Sequence, residues 1–445
     1  MRAYAVLAML TAASALKHRL AALAPVILPR DETRVIESKY IVKMKDGTSP
    51  DIVKRAALEI SSPPDHIYTD AIKGLAATLS LQEVEKLQHH PNVDYIEPDT
   101  SGQLLSVQRD ATWGLARISN TKPGSSVYSY DDSAGEGACV YIIDSGIETS
   151  HEDFEGRATF AANLVDTNNT DEKGHGTHVA GTVGSKTYGV AKKAKLFAVK
   201  VTSRQGETPM YTPTSFAECL RVSVLTYGRS RVIGGMDFVV KDAPTKKDKC
   251  PSGIVVNMSL GYPYSKVLNH AANSIARAGL FLVAAAGNSA EDATHYSPPS
   301  AEGACTVGAT GKNDTIAAVS NFGPAVDVFA PGQEIVSTYP GGRHCWDSGT
   351  SMAAPHVAGL AAYLMGKGHK ADGLCRYIAS TALEGVIHGV PNGTVNLLAN
   401  NGHNGQTKGT AGRFFHGQQA RSETVGLCPT LVFQDGSFGD QPKPQ

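Results

Sequence analysis

The 445-residue chain lacks an excess of charge of either sign, and it lacks a long apolar run. Its 41 basic and 42 acidic residues leave a formal net charge of −1, which argues against nucleic acid as the main partner. No apolar stretch reaches the length of a membrane-spanning helix. The spacing of the seven cysteines does not suggest a zinc site. We therefore expect no nucleic-acid or membrane partner.

The first fifteen residues have the pattern of a secretory signal. One arginine precedes a short apolar run that ends in Ala13-Ser14-Ala15, which predicts cleavage after Ala15. An alanine-rich N-terminal helix is the alternative. In a secreted chain, seven cysteines imply disulfide bonds and at least one thiol left over.

Three short motifs indicate nucleophilic catalysis. Asp144 ends the apolar run 138–143, as a buried parallel strand ends at a ligand-facing loop. His175 lies between two glycines at the start of an apolar helix. Ser351 lies in the first turn of a long uncharged helix, where free N–H groups stabilise negative charge. Each residue alone would be structural, and Ser351 alone an N-cap. Together, in this order, they predict a catalytic triad.

These motifs resemble those of the subtilisin-like serine proteases, most closely the fungal proteinase K branch. The resemblance covers residues 39–99 and 106–400. Three further matching segments are Trp113–Ile118, Tyr188–Lys193 and Gly393–Leu398. The resemblance implies a triad of Asp144, His175 and Ser351 in an α/β fold of three layers with a mostly parallel sheet. Apolar strands that alternate with helical segments predict the same fold class.

The chain divides into a signal at 1–15, a propeptide at 16–105, a catalytic domain at 106–400 and a tail at 401–445. The propeptide core follows a β-α-β-β-α-β pattern, with a capping box at Ser80–Glu83, and so predicts a ferredoxin-like α+β module. The tail is rich in glycine, glutamine and charge, and we expect disorder. A small docking segment or a mistaken 3′ end of the gene are alternatives.

The resemblance also gives the propeptide a role. In the family, this module assists folding and occupies the active site until it is cleaved. We expect the cut near Leu105–Ser106, made by the enzyme itself. A leucine before the cut suits an enzyme that prefers apolar P1 residues.

Matching positions supply the oxyanion hole and the substrate pocket. Asn288 corresponds to the family's oxyanion-hole asparagine and would act with the Ser351 backbone N–H; an asparagine in a turn is the alternative. Two segments resemble the walls of the S1 pocket, Ser259-Leu260-Gly261 and Ala285-Ala286-Gly287. Neither carries a charge, which predicts an apolar or broad P1 preference.

Two features depart from the family pattern. Residues 207–230 form an atypical insertion near a substrate-binding edge, and a loop of that size is functional or suspect. It is a lid, a plain surface insertion or a gene-model error such as an unspliced intron. Asp347, four residues before Ser351, is unusual for a site wall. We expect a solvated loop charge; the alternative is a carboxylate that raises the pKa of His175.

The cysteines divide into two groups by their family counterparts. Matching positions imply the disulfides Cys139–Cys250 and Cys305–Cys375. Cys219, Cys345 and Cys428 have no family partner. Cys345 is a reactive thiol near the site or an inert cysteine.

The resemblance further implies a structural calcium site. Asp327 matches its carboxylate ligand, with the backbone carbonyls of Glu302 and Ala304; an ordinary loop acid is the alternative. A second family site uses the Thr121 carbonyl and an acid, and we expect its loss because Val386 stands at the acid's position.

Candidate glycosylation sites are Asn168, Asn313 and Asn392. Asn257 also fits the sequon, but it lies in a predicted core strand.

We therefore expect a secreted, monomeric serine endopeptidase made as a self-processing zymogen. Its partners are protein and peptide substrates and its own propeptide, and catalysis needs no cofactor. The rival interpretation is a secreted, catalytically silent binding protein that keeps the fold. The intact triad and Asn288 argue against it, and the insertion argues weakly for it.

Overall fold

The computed structural model describes residues 23–29, 35–100, 105–202, 228–403, 426 and 428. They fall into two compact units, one within residues 1–103 and one within 104–445. The predicted signal and Cys219 lie outside the described residues, as does the insertion except for its last three positions. Among the helices that are described, none combines the length and the apolar character needed to cross a membrane.

The first unit is a small antiparallel sheet with two helices. Its elements are β1 (Val35–Met44), α1 (Pro50–Ala57), β2 (His66–Tyr68), β3 (Gly74–Thr78), α2 (Leu81–Gln88) and β4 (Val93–Thr100). The strands pair in the order β2-β3-β1-β4. Ser80 and Glu83 cap α2 reciprocally, as predicted. The unit is the ferredoxin-like module expected from the sequence.

The second unit is much larger. Its elements in chain order are β5 (Leu105–Gln108), α3 (Trp113–Arg117), β6 (Tyr128–Asp131), β7 (Ala138–Asp144), β8 (Ala158–Asn163), α4 (His175–Gly184), β9 (Lys195–Lys200), α5 (Arg229–Asp242), β10 (Gly253–Met258), β11 (Tyr262–Pro263), α6 (Lys266–Arg277), β12 (Phe281–Ala285), β13 (Tyr296–Ser297), β14 (Ala304–Thr310), β15 (Val328–Pro331), β16 (Ile335–Tyr339), β17 (Arg343–Asp347), α7 (Thr350–Gly366), α8 (Leu374–Thr381), β18 (Leu383–Glu384) and β19 (Leu397–Leu398).

One central sheet organises this unit. Its strands lie in the order β18-β19-β15-β14-β12-β10-β7-β9-β8. The ladders from β19 to β8 are parallel, and only the β18–β19 ladder is antiparallel. The carboxyl ends of β7, β10 and β12 therefore meet at one edge, where ligand sites of such sheets form.

Helices cover both faces of the sheet. Along β7, Val140 and Ile142 pack into a cluster that contains apolar residues of α4 and α7. Tyr141 and Ile143 point to the opposite face and pack with residues of α5 and α6. This alternation follows from the two-residue period of a strand. The result is the three-layer α/β fold predicted from the sequence.

Helix α7 runs through the interior of the unit. Every residue from Thr350 to Met365 is buried, and none is charged. A helix that is apolar all round belongs in the core of a large domain. The start of this helix, which carries Ser351, is therefore held from all sides.

Three disulfides connect described residues. The structure contains Cys139–Cys250 and Cys305–Cys375, the two pairs implied by the resemblance, and also joins Cys345 to Cys428. Cys345 is therefore not the reactive thiol that one interpretation of the sequence offered, because it is bonded to Cys428, 83 residues away.

The tail also pairs with β17 through its backbone. The Trp346 N–H donates to the carbonyl of Gly426, and the Cys428 N–H donates to the carbonyl of Trp346, each at 3.1 Å. For the tail 401–445 we expect disorder, with a small docking segment as an alternative; Gly426 and Cys428 make these contacts with β17. The rest of the tail beyond His403 lies outside the described residues.

Candidate active site

The predicted site residues gather at one edge of the central sheet. Asp144 is the last residue of β7, Ser259 follows β10, and Asn288 follows β12 by three residues. These three strands are neighbours in the sheet. The structure therefore brings together groups that lie up to 144 residues apart in the chain.

Asp144 and His175 form a close pair. The Nδ1 atom of His175 lies 2.8 Å from one carboxylate oxygen of Asp144 and 2.9 Å from the other. The first oxygen also accepts the Ser145 N–H at 2.7 Å, and Asp144 is buried. Because both neighbours of Nδ1 are acceptors, Nδ1 carries the proton. The other ring nitrogen, Nε2, is then free to accept a proton.

The surroundings of His175 raise its pKa. Burial alone would lower this pKa, but the charge of Asp144 and the hydrogen bond from Nδ1 to it outweigh burial. Lys173 lowers the pKa and Asp347 raises it, both through charge. The surroundings therefore stabilise the protonated form of His175, the imidazolium, which would form when the ring accepts a proton.

A buried carboxylate holds the start of α4. One oxygen of Asp171 accepts the Gly174 N–H at 2.8 Å, and the other accepts the N–H and the hydroxyl of Thr177 at 2.8 and 2.6 Å. These are N–H groups that a helix start leaves unsatisfied. Asp171 is not among the residues predicted from the sequence, although an acidic residue just before a helix start is a recognisable signal.

Two serines interlock at the start of α7. The Ser351 hydroxyl donates to the Ser259 carbonyl at 3.2 Å, and the Ser259 hydroxyl donates to the Ser351 carbonyl at 2.9 Å. Pro355 lacks the N–H that would otherwise bond the Ser351 carbonyl within the helix. The Ser259 hydroxyl replaces that missing donor, and it also accepts from the Asn257 amide at 3.0 Å.

Among the described residues, the resting Ser351 hydroxyl is bonded to Ser259 and not to His175. Hydrogen bonds between catalytic groups are often loose before substrate binds. A rotation about the Cα–Cβ bond of Ser351 is therefore part of any attack by this hydroxyl.

Thr350 fixes the amide of Asn288. The Asn288 oxygen accepts the N–H of Thr350 at 2.8 Å and its hydroxyl at 2.9 Å. The Gly287 N–H in turn donates to the Thr350 hydroxyl at 3.1 Å. Because its oxygen is occupied, Asn288 has its amide nitrogen left as a donor.

The two predicted pocket walls extend from neighbouring strands. Met258 of β10 pairs with Ala284 of β12, so residues 259–261 and 285–287 leave the sheet side by side. A side chain at Gly287 would clash with Asn321, and its φ is +106°. The buried Asn321 amide bonds the backbone of 286, 289 and 291. Asn321 shapes the turn around Asn288, and it is not among the residues predicted from the sequence.

The β16–β17 hairpin packs along α4. The carbonyl of Ile335 lies 2.9 Å from Nε2 of His178. The hydroxyls of Ser337 and Thr338 donate to the carbonyls of His178 and Thr177, at 2.7 and 2.8 Å. This hairpin leads directly into α7 and thus connects the helix of His175 with the helix of Ser351.

Asp347 ends β17, and its surroundings differ from those predicted from the sequence. We expected a solvated loop charge, but Asp347 is only 1% exposed. The expectation is wrong because β17 pairs with β16, and Asp347 stands opposite Ile335. The strand and the packing of its hairpin on α4 exclude solvent from the carboxylate.

The remaining predicted residues are the calcium and glycosylation candidates. One oxygen of Asp327, just before β15, accepts the Thr306 N–H at 2.7 Å, and burial raises the pKa of this carboxyl. Glu302 precedes β14 by two residues, and Ala304 begins that strand. The sequon residues Asn168, Asn313 and Asn392 are exposed, and Asn257 is fully buried.

The comparison with known proteins agrees with this geometry. The Subtilase family model matches residues 135–395, and the Peptidase inhibitor I9 model matches residues 39–105. The chain belongs to the subtilase family of serine proteases, and it carries an I9 propeptide.

Curated relatives extend over most of the chain. Proteinase R of Parengyodontium album is 47% identical over 86% of this chain and 93% of its own length. The cuticle-degrading protease of Metarhizium anisopliae is 46% identical over 88% of this chain and 96% of its own. A crystal structure of a cold-adapted subtilisin-like serine proteinase has a TM-score of 0.57 and 34% identity, and covers 66% of this chain and 98% of its own.

Proposed function

We propose that the chain is a secreted endopeptidase, made as a self-processing zymogen, in which Asp144, His175 and Ser351 form the catalytic triad. The observation that carries the proposal is the contact of His175 Nδ1 with both oxygens of Asp144. It leaves Nε2 unprotonated at the edge of the sheet where Ser351 begins α7. Asn288, held by Thr350, supplies a neutral donor beside it.

The proposed reaction is acyl transfer through the serine. The Ser351 hydroxyl turns from the Ser259 carbonyl, gives its proton to Nε2 of His175 and attacks the peptide carbonyl. The Asn288 amide and the Ser351 backbone N–H stabilise the oxyanion. The imidazolium then protonates the leaving amine, while Asp144 keeps the ring in place and stabilises its charge. Water completes the cycle by the same steps.

The pocket walls support an apolar or broad P1 preference. Leu260, Ala285 and Ala286 are buried or nearly so, and neither wall contributes a charged side chain. A basic P1 residue would find no counter-charge on these walls. The proposed cut after Leu105 fits the same preference.

Intact mass and N-terminal sequencing of the full-length chain test the proposal. We expect a mature N-terminus near Ser106 in the wild type and an uncut precursor in Ser351→Ala. Ser380→Ala is the matched control, because this exposed serine on α8 lies outside the site, and it should mature normally. An uncut wild type would instead support the catalytically silent binding protein.

Secretion has support from the disulfides. Three bonds connect described cysteines, and such bonds persist in oxidising compartments. Exposure of the three sequon residues is compatible with glycosylation after secretion. Loss of mass on treatment with an N-glycosidase would show which of them is used.

A structural calcium ion fits the surroundings of Asp327. The sulfurs of Cys305 and Cys375 lie within 4.8 Å of its carboxylate but are bonded to each other. They offer no thiolate, so the charged ligand is a carboxylate, which suits a hard cation. Calcium would be held there with the carbonyls of Glu302 and Ala304. We expect calcium to raise the melting temperature of Ser351→Ala, and Asp327→Asn to remove that increase.

A further inference from the structure

Asp347 is a buried carboxylate with unused hydrogen-bonding capacity. One of its oxygens accepts the Ser348 N–H at 2.7 Å. The other is buried and has no hydrogen-bond partner in the described part of the chain. A buried acceptor without a partner is costly, and such groups often have a functional reason.

Asp347 belongs to a hairpin that is bonded to the helix of His175. Asp347 pairs across the hairpin with Ile335, and the Ile335 carbonyl bonds His178, one turn beyond His175. Ser337 and Thr338 tie the same hairpin to α4. These hydrogen bonds fix the position of the hairpin, and therefore of its buried carboxylate, relative to the helix of His175.

We propose that Asp347 is a positioning residue that acts through His175: it is a second carboxylate, beside Asp144, that stabilises the imidazolium formed during catalysis. The inference rests on His175 being the general base. Asp144 makes the direct hydrogen bond and sets the tautomer. Within the described ranges, Asp347 makes no hydrogen bond to the ring, and it contributes through the charge of its buried carboxylate.

The other charged and titratable groups around His175 also affect its pKa, and the effect of Asp347 adds to theirs. Lys173 is the opposing charge, and it lowers the pKa of His175. Burial lowers the pKa of His178 to about 3 and that of His356 to about 4, so both are neutral at working pH. Asp144 and Asp347 are then the negative charges that favour the imidazolium.

The contribution of Asp347 depends on pH. Burial raises the pKa of its carboxyl to about 6, and the charge on His175 acts in the opposite direction. Above pH 6 the carboxylate is ionised and favours the imidazolium. Below pH 6 the carboxyl becomes neutral, and it no longer stabilises the imidazolium. The two groups titrate as a coupled pair.

The test is the pH dependence of kcat/KM for matured wild type and Asp347→Asn with an uncharged peptide substrate. Asparagine keeps an acceptor for the Ser348 N–H and removes the charge, and it places an NH2 group where the unpartnered oxygen was. In Asp347→Asn, the acid limb of the kcat/KM profile should move to lower pH by roughly 0.5–1 unit. A negative neighbour raises the pKa of an imidazole, and this variant removes one. Above pH 8, kcat should fall by about 3–10-fold, the same free energy expressed as a rate.

Glu334→Gln is the matched control. Glu334 lies next to the same hairpin, but its carboxylate is exposed and pairs with Lys312 at 3.6 Å. Solvent and salt screen the charge of Glu334. The pH profile of Glu334→Gln should therefore coincide with that of the wild type. A fall in the rate of Asp347→Asn without movement of the acid limb would mean a structural role and would overturn the inference.

A second measurement covers the case in which Asp347→Asn does not mature. The His175 ring is titrated by NMR in the Ser351→Ala precursor, with and without Asp347→Asn. A lower His175 pKa in the double variant supports the inference, and equal values contradict it. If matured wild type had no protease activity, the proposed function would fail, while the NMR titration would still report on Asp347.

Discussion

The two sides of the candidate active site are built differently. The pocket side consists of residues 259–261 and 285–288, which follow β10 and β12. The hairpin side consists of β16, β17 and Ser348. On the pocket side, polar contacts run between neutral groups, such as the paired hydroxyls of Ser351 and Ser259. The hairpin side contains a buried carboxylate and a disulfide to the tail.

The difference lies in the chemistry of the two sides. The sequence resemblance implies an oxyanion hole and S1 walls on the pocket side, and neutral donors suit an oxyanion because they keep their protons at every working pH. On the hairpin side, Asp347 and Cys345 depart from the pattern that the resemblance implies. The two sides can be tested separately by substitution.

Removal of the Asn288 amide should have the largest effect and would test the pocket side. Asn288→Ala should lower kcat by about 10²–10³-fold with little change in KM, because the donor acts on the transition state. That range comes from the corresponding donor of a subtilisin, so it is carried over to this family member. Asn313→Ala, an exposed asparagine, is the control. A loss below tenfold would mean that Asn288 does not serve the oxyanion.

Loss of the tail disulfide should come next and would test the anchoring of the hairpin side. In an inactive Ser351→Ala background, Cys345→Ser should lower the free energy of unfolding by about 2–4 kcal/mol, since the bond restricts the unfolded chain. Cys428→Ser and the double variant should show the same loss, because all three remove one bond. Denaturant titration measures the free energy of unfolding of each variant. Additive losses would contradict the pairing of Cys345 with Cys428.

Loss of the Thr350 hydroxyl should have the smallest effect and links the two sides. Thr350→Val removes a bond to Asn288 and one to Gly287. Without these hydrogen bonds the Asn288 amide is less well oriented, and the transition state should lose about 1–2 kcal/mol of stabilisation. The value of kcat should therefore fall roughly 5–30-fold. Thr350→Ser keeps the hydroxyl and should restore most of the rate. If serine and valine variants were equally slow, packing and not the hydrogen bond would be responsible.

The sequence predicted the fold class, and its local signals pointed to Asp144, His175 and Ser351, each at the end of a strand or the start of a helix. The structure brings Asp144 and His175 into contact, and the role of all three residues as a triad stays a prediction. The capping box of α2 was equally readable, because Ser80 and Glu83 are three residues apart. Contacts between residues that are close in the chain can be predicted from the sequence.

What the sequence could not supply depends on distant packing. The burial of Asp347 results from hairpin pairing and from contact with α4, neither of which is visible in its neighbours Trp346 and Ser348. Cys345 and Cys428 belong to segments with no shared pattern. Asn321 bonds a turn some thirty residues before it, and the interlocked serines depend on a proline four residues past Ser351.

The bond between Cys345 and Cys428 has a consequence for the integrity of the chain. A peptide bond cut anywhere in residues 404–425 would turn the enzyme into a two-chain protein without releasing its C-terminal piece. Such a nick would be invisible in a non-reducing gel and would appear as a new small fragment after reduction. The catalytic unit would keep its third disulfide, and with it the strand contact beside β17.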